Sequence, residues 1–445
     1  MLTRSHAGAF VLGTLLTLGV GALAAPSKRP PERKFEKLDV FARVLSYVES
    51  NYVEEVDERK LVYGAVKGMM RTLDPHSDFM TPEEFADMRA DTDGEFGGVG
   101  IEINDDGGVI VVVEPIAGSP AAKAGLLPGD RIIAIDGNPT KGRPGGETSS
   151  RLRGRPGTPV KLTVERKGWD GPHVLGLTRE LIHVQAVEAK LLEPGIGYLR
   201  IKQFQERTDE EVMAALTTLK ADSGGTLTGL VLDLRGNPGG LLDQAVKVSD
   251  LFLDGGVIVS TVGRSGKKLE EEVAREAGTW DNFPMVALVN GGSASASEIV
   301  AGALQDHGRA LLIGTQTFGK GSVQSVYELA DGSGLKLTVA RYYTPSGRSI
   351  QEKGITPDVV VEQLDAGKLK DAKLGEAGQR ERDLERHLKN LQVGGEGDVA
   401  VAHGSTRELL EHDYQLRTAF QTLSSWKRFQ KLGGHTVANA KVARP

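Results

Sequence analysis

Residues 285–299 read MVALVNGGSASASEI. Met285 to Val289 is an unbroken apolar run between Pro284 and Asn290, as expected of a strand buried on both faces. Small residues follow, and Ile299 to Leu304 then reads as a helix. The same alternation extends on both sides. Gly197 to Ile201, Leu230 to Leu234 and Ala310 to Ile313 read as strands, and Thr208 to Lys220 as a helix with Val212, Leu216 and Leu219 on one face. Strands alternating with helices predict an α/β core.

Upstream the texture changes. From about Thr92 short β-rich runs are split by glycine: Val99 to Ile103, Val109 to Val113, Arg131 to Ile135 and Val160 to Val164. Asp106-Gly107, Pro128-Gly129-Asp130 and Asp136-Gly137-Asn138 supply the turns. Further back, Leu38, Phe41, Leu45 and Val48 recur at helical spacing. A second helix is expected from about Asp57 to Thr72, with Leu61, Ala65 and Met69 on one face, stopped by Asp74-Pro75. Thr81-Pro82-Glu83-Glu84 has the chemistry of a helix start. Beyond Val361 the chain is charged and helix-prone, and a last helix holds Leu416, Phe420 and Leu423.

The chain has 445 residues, room for about three units at ~150 residues per domain. It has no cysteine, which excludes disulfides, thiolate metal sites and a cysteine nucleophile. A net charge of -6 argues against nucleic-acid binding, which needs a basic face. Glycine is abundant, 57 residues, which points to many tight turns and close backbone approaches. Arg4 and His6 precede an uncharged stretch ending in Ala22-Leu23-Ala24, the pattern of a secretory signal cut after Ala24. An uncleaved anchor is the competing reading, and under both the rest of the chain is exported, to a periplasm or to the exterior.

Three segments can carry chemistry. In GGSASASEI the strand-to-helix turn can project a hydroxyl at a helix N-terminus, where backbone N–H groups and the dipole favour developing negative charge. Helix capping by the same serines is the plainer alternative. In FGKGSVQ, 318–324, Lys320 lies between two glycines, and a lysine held in an apolar pocket becomes a base. A solvated surface lysine is the competing reading, and Gln324 could orient an amine. In DLRGNPGG, 233–240, a glycine turn after a strand can present backbone N–H groups at the carboxyl end of a sheet. His307 reads as a helix-end cap and His76 as part of a turn. No histidine has metal-ligand spacing, so metal catalysis is not expected.

Taken together, these segments resemble the C-terminal processing peptidases, the carboxyl-terminal serine proteases. The resemblance extends to RTLDPHSDFMTPEEF at 71–85, GSPAAKAGLLPGDRIIAIDG at 118–137 and YYTPSGRSIQEKGITPD at 342–358. It spans roughly 35–361 and implies an α/β (α+β) protease core with an inserted β-rich PDZ domain and flanking helical arms. The expected divisions are a signal peptide at 1–24, a helical segment at 25–91 and a PDZ domain at 92–182. A crotonase-like core at 183–361 and a helical region at 362–445 complete the chain.

By motif, the resemblance implies Ser295 as nucleophile, Lys320 as general base and Gln324 as the residue that positions the lysine. Composition alone leaves Ser293, Ser295 and Ser297 open. The N–H groups of Gly240 and Ala296 would form the oxyanion hole. The PDZ loop holding a substrate carboxylate would be Gly97 to Ile101, with Gly98, Val99, Gly100 and Ile101 as binding residues. The resemblance further implies protein or peptide partners with free C-termini, gating by the PDZ domain, dimerisation through terminal helices in some members, and an activating adaptor. It implies no cofactor. One stretch departs from the family: RPGGETSSRLRGRPG, 143–157, offers only Leu152 as a large apolar residue to the peptide groove. Two other classes compete: a PDZ-bearing adaptor on an inactive protease fold, and an acyl-CoA hydratase-type enzyme.

Overall fold

The computed structural model describes residues 36–106, 109–143, 145–363, 410 and 412–433. The expected signal peptide lies outside them, as does much of the region beyond 362. Among the described residues no helix is long and apolar enough to cross a membrane. Among the described residues, those up to Gly64 belong to one unit and those from Ala65 onward to another. The first contains α1 (Glu36–Asn51) and the start of α2 (Glu58–Met70). Along α1, Leu38, Phe41, Val44 and Tyr47 are exposed. Of the face expected on α2, Leu61 is half-buried while Ala65 and Met69 are exposed, and Met70 is the buried residue.

The second unit opens with β1 (Asp78–Met80), α3 (Pro82–Asp93) and β2 (Glu95–Gly98). Thr81 caps α3 through a capping box: its hydroxyl accepts from Glu84 N, and the Glu84 carboxylate accepts from Thr81 N. Gly94 ends the helix in the left-handed conformation.

A small β domain follows: β3 (Ile101–Asp106), β4 (Val109–Pro115), α4 (Pro120–Lys123), β5 (Arg131–Ile135), β6 (Asn138–Pro139), α5 (Gly145–Leu152), β7 (Pro159–Glu165) and β8 (His173–Thr178). The strands form one antiparallel sheet in the order β3-β4-β5-β7-β8, with β6 on β5. Alternate residues of β7 (Val160, Leu162, Val164) join Ile110, Val112, Ile132 and Leu152 in its core. β3 starts two residues later than expected, since Val99 and Gly100 form a loop in which Gly100 has φ +73°. The chain returns through β9 (Glu180–His183), paired with β2.

The core contains β10 (Val187–Glu193), β11 (Ile196–Ile201), α6 (Thr208–Asp222), β12 (Gly229–Asp233), α7 (Leu242–Asp250), β13 (Val257–Val262) and β14 (Lys268–Val273). It continues with β15 (Met285–Val289), α8 (Ala296–Asp306), β16 (Ala310–Gly314), β17 (Ser322–Glu328), β18 (Gly334–Tyr343) and β19 (Val359–Val360). A final helix, α9, covers Tyr414–Gly433. The central sheet runs β10-β11-β12-β15-β16-β19, parallel from β11 onward. A second sheet, β1-β18-β13-β14 with β17 on β18, lies beside it.

The central sheet is buried on both faces. Leu230, Leu232, Ala287 and Val289 point into a cluster with Val212 and Leu216 of α6, Val248 of α7 and Ile299 of α8. Val231, Val286, Leu288 and Ile313 point the other way, onto Leu416, Ala419 and Leu423 of α9. This explains why β12 and β15 are apolar without alternation. The loops after β12 and β15, adjacent parallel strands, therefore emerge side by side at their carboxyl ends, where open α/β sheets bind ligands.

Candidate active site

Ser295 sits between β15 and α8 with φ +55° and ψ -113°. A non-glycine residue at positive φ is uncommon, and such strain clusters at functional sites. Its backbone N–H donates to Glu298 Oε2 at 2.9 Å, three residues on. The same oxygen accepts from Lys320 N at 2.9 Å, so one carboxylate ties the backbones of the serine and the lysine together. Glu298 also accepts from Gly319 N and from the Thr317 hydroxyl. It is fully buried: burial pushes its pKa up, the four hydrogen bonds offset part of that, and the result is about 7.

The three serines differ. Ser293 Oγ donates to Leu234 O and accepts from Asn290 N. Ser297 Oγ donates to Asn237 O. Both hydroxyls are fully buried and brace the 234–237 turn. The Ser295 Oγ lies instead 3.1 Å from the Tyr342 hydroxyl. Tyr342, on β18, is buried, which pushes its pKa up to about 12, the serine hydrogen bond opposing and the nearby Glu298 adding. Its backbone N–H donates to Gly321 O, beside the lysine.

The DLRGNPGG turn packs against the nucleophile. A Cβ on Gly239 would stand 2.8 Å from Ser295 Cβ and 3.0 Å from Ala296 N. One on Gly240, whose φ is +139°, would stand 2.0 Å from Phe204 O. Glycine is thus dictated at both positions by close backbone approach. Among the described residues, the N–H groups of Gly240 and Ala296 donate no hydrogen bond. Unpaired N–H groups next to a strained serine can donate to a developing oxyanion.

Lys320 is half-buried between Gly319 and Gly321. Gln324, on β17, turns its amide nitrogen toward Ser322 Oγ (2.9 Å) and Thr338 Oγ1 (3.4 Å), so its donor is not directed at the lysine, and its Oε1 accepts no bond among the described residues. Thr338 also donates to Asp74, which accepts from the backbones of His76 and Ser77. The DPHSDF turn thereby supports the strand behind Gln324, and its hydrogen bonds hold Asp74 below the usual carboxylate range against the effect of burial. His307 is the C-cap of α8, its ring bonded to Val257 O. Among the described residues no group of three His, Asp or Glu side chains could hold a metal ion.

In the β domain, Val99 and Gly100 are buried, and their N–H groups donate no bond among the described residues. Their carbonyls are occupied: Val99 O accepts from Ala121 N, and Gly100 O from Ile116 N and Ser119 Oγ. Two consecutive unpaired amides can hold an anion. A Cβ on Gly100 would meet Ser119 Cβ at 2.3 Å. Gly98 makes an isolated antiparallel bridge to Arg153, and Ile101 opens β3.

Sequence reasoning missed Glu298, Tyr342 and the partners of Arg235. Ser295-x-x-Glu298 has capping-box spacing, a local signal for the first. Tyr342 and Arg235 depend on contacts distant in sequence.

The chain is similar to known proteins over most of its length. The profile of peptidase family S41 matches residues 195–361, that of the PDZ domain 111–166, and that of the activating protease CtpB N-terminal domain 21–84. The carboxy-terminal-processing protease of Bartonella bacilliformis is 44% identical over 420 residues, covering 93% of this chain and 94% of that protein. The carboxy-terminal processing protease CtpA of Bacillus subtilis is 38% identical over 393 residues, covering 86% and 82%. Among solved structures, a photosystem II D1 C-terminal processing protease is 34% identical, covers 74% of this chain and 93% of its own, and has a TM-score of 0.44.

Proposed function

The chain belongs to the carboxy-terminal processing proteases, serine peptidases of family S41 that carry a PDZ domain, and we propose that it cuts its substrates with a Ser295–Lys320 dyad. The observation that supports this reading most is the single Glu298 oxygen that receives both Ser295 N and Lys320 N, beside unpaired N–H groups at Gly240 and Ala296.

The neutral amine of Lys320 takes the Ser295 proton as Oγ attacks the scissile carbonyl carbon. The carbonyl oxygen becomes an oxyanion and accepts from Gly240 N–H and Ala296 N–H. The tetrahedral intermediate then breaks its C–N bond, and Lys320 returns the proton to the leaving amine. Water, deprotonated by the same lysine, hydrolyses the acyl-enzyme and restores the serine. The free Oε1 of Gln324 is an acceptor suited to orienting the lysine amine, a positioning role.

The Val99–Gly100 amides, in the loop from Gly98 to Ile101, hold the substrate's terminal carboxylate, while the peptide adds a strand beside β3. α5 (GGETSSRL) carries one large apolar side chain, Leu152, which is buried in the domain core, so the groove beside it offers the peptide little apolar surface. It therefore favours less apolar C-terminal residues. The chain acts after export, on protein or peptide substrates with free C-termini, and docking of the PDZ domain gates it. Such an enzyme is served by self-association and by an activating partner.

The test is digestion of casein by the chain, with Ser295→Ala and Lys320→Ala beside it. The expected result is fragments from the parent chain and none from either folded variant. Full activity in either variant removes the dyad.

A further inference from the structure

Arg235 belongs to the turn that carries Gly240, and its side chain is 2% exposed. It is held from two sides. Asp233 accepts from its Nε and Nη2, and from its backbone N–H. Asp413, 178 residues further on, takes Nη1 at 2.9 Å and Nη2 at 2.7 Å in a two-pronged pair. Gln415 Oε1 accepts a third bond at 3.0 Å, and its Nε2 donates to Val361 O. Tyr198 on β11 donates to Asp233 Oδ2. The Asp413 carboxylate also accepts from Leu416 N, capping α9. Burial opposes the charge of Arg235, yet the two carboxylates raise its pKa further, and burial of Asp233 is likewise outweighed by the arginine.

This network is remote from the scissile bond, and nothing in the dyad chemistry uses it. Its geometry nonetheless addresses the oxyanion turn. Asp233 ends β12, Arg235 follows two residues later, and Gly239 and Gly240 come next against Ser295. The bond Asn237 Nδ2 to Ile201 O and the Ser293 and Ser297 hydroxyls fix the middle of the turn from the core side. Its first residues are held by Leu288 O, which accepts from Leu234 N, by Asn290 Oδ1, which accepts from Gly236 N, and by Arg235, whose guanidinium is shared with the C-terminal arm. A buried charge pair of this kind is an inefficient source of stability compared with apolar packing, but a specific one for geometry.

We propose that Asp413 and Gln415 are positioning residues for the oxyanion turn, so that the docked C-terminal arm completes the active site by gripping Arg235. The inference rests on the oxyanion-hole reading above. A misplacement of one ångström far from the chemistry costs about 100-fold in rate, and only a fraction of that is needed here.

The experiment uses the full chain, a fluorogenic peptide spanning a casein site the chain cleaves, and a peptide aldehyde of the same sequence, whose adduct with Ser295 places its oxygen in the oxyanion position. Asp413→Asn is expected to lower kcat about tenfold and to weaken the aldehyde by the same factor, with KM within about twofold, because only transition-state binding is lost. Leu423→Ala removes apolar packing from the middle of α9 while the Asp413 and Gln415 bonds to Arg235 stay in place, so it lowers stability and its kcat is expected to stay within about twofold of the parent. The inference is overturned if folded Asp413→Asn keeps kcat and aldehyde affinity, or if Leu423→Ala lowers kcat as far. Should Asp413→Asn not fold, Gln415→Ala carries the test: a loss of about threefold in kcat at constant KM supports the grip, and unchanged kcat removes it. A parent chain that neither cleaves casein nor binds the aldehyde removes the underlying reading, and the grip with it.

Discussion

The hydroxyl of Tyr342 lies 3.1 Å from Oγ of Ser295, and both groups are buried. With its pKa pushed up to about 12, the tyrosine is neutral across the working range and can share a hydrogen bond with the serine without acting as a base. Tyr342→Phe keeps the ring and removes one neutral hydrogen bond of about 1 kcal/mol. The expected outcome is a loss of about fivefold in kcat/KM, measured by steady-state peptide cleavage. A loss as complete as that of Ser295→Ala would move the base function to the tyrosine.

Glu298 ties pH to stability. Its folded pKa of about 7 lies above the ordinary 4.5. Between those values the folded chain holds a proton that the unfolded chain has released. The sign follows: its stabilising contribution is full below pH 4.5, falls as pH rises, and is gone above about 7. The size is about 3 kcal/mol. Denaturant titrations of the parent chain and Glu298→Gln, run from pH 4.5 to 8, check this: the decline belongs to the parent and is absent from the variant. Activity moves the opposite way, because a protonated carboxyl can no longer accept from all four of its donors.

Gly240→Ala is expected to fail for a backbone reason. Its Cβ would fall 2.0 Å from Phe204 O at a φ that L-residues rarely adopt. The turn must shift, and one oxyanion donor with it, at a cost of about 100-fold in kcat. Circular dichroism should show the fold intact. A variant with parent kcat would take Gly240 out of the hole.

The Val99–Gly100 amides predict a dependence on the substrate's end. In the Ser295→Ala chain, a peptide that binds with a free carboxylate is expected to lose about tenfold in affinity when amidated, measured by fluorescence anisotropy. Equal affinities would show that the loop does not read the terminus.

Much of this is legible in the sequence. The apolar runs at Leu230 and Met285 read as buried strands because burial on both faces leaves no alternation, and Thr81-Pro82-Glu83-Glu84 read as a helix start because capping chemistry is local. Local chemistry has limits. By β-propensity the loop at Val99 and Gly100 reads as part of a strand, because propensity cannot see the positive φ of Gly100. Ser293 and Ser297 could not be told from Ser295, because what separates them is Leu234 O and Asn237 O, carbonyls about 60 residues away. The Arg235–Asp413 pair was out of reach for the same reason: its partners are brought together only when α9 packs on the sheet.

The central claim is that Ser295, activated by Lys320, forms the acyl-enzyme. Its most direct measurement is intact-mass and tandem mass spectrometry of the chain after rapid acid quench with a peptide ester. The account predicts one acyl adduct on Ser295 in the parent chain and none in Ser295→Ala or Lys320→Ala. An adduct on Ser293 or Ser297, or undiminished turnover by Ser295→Ala, would contradict it.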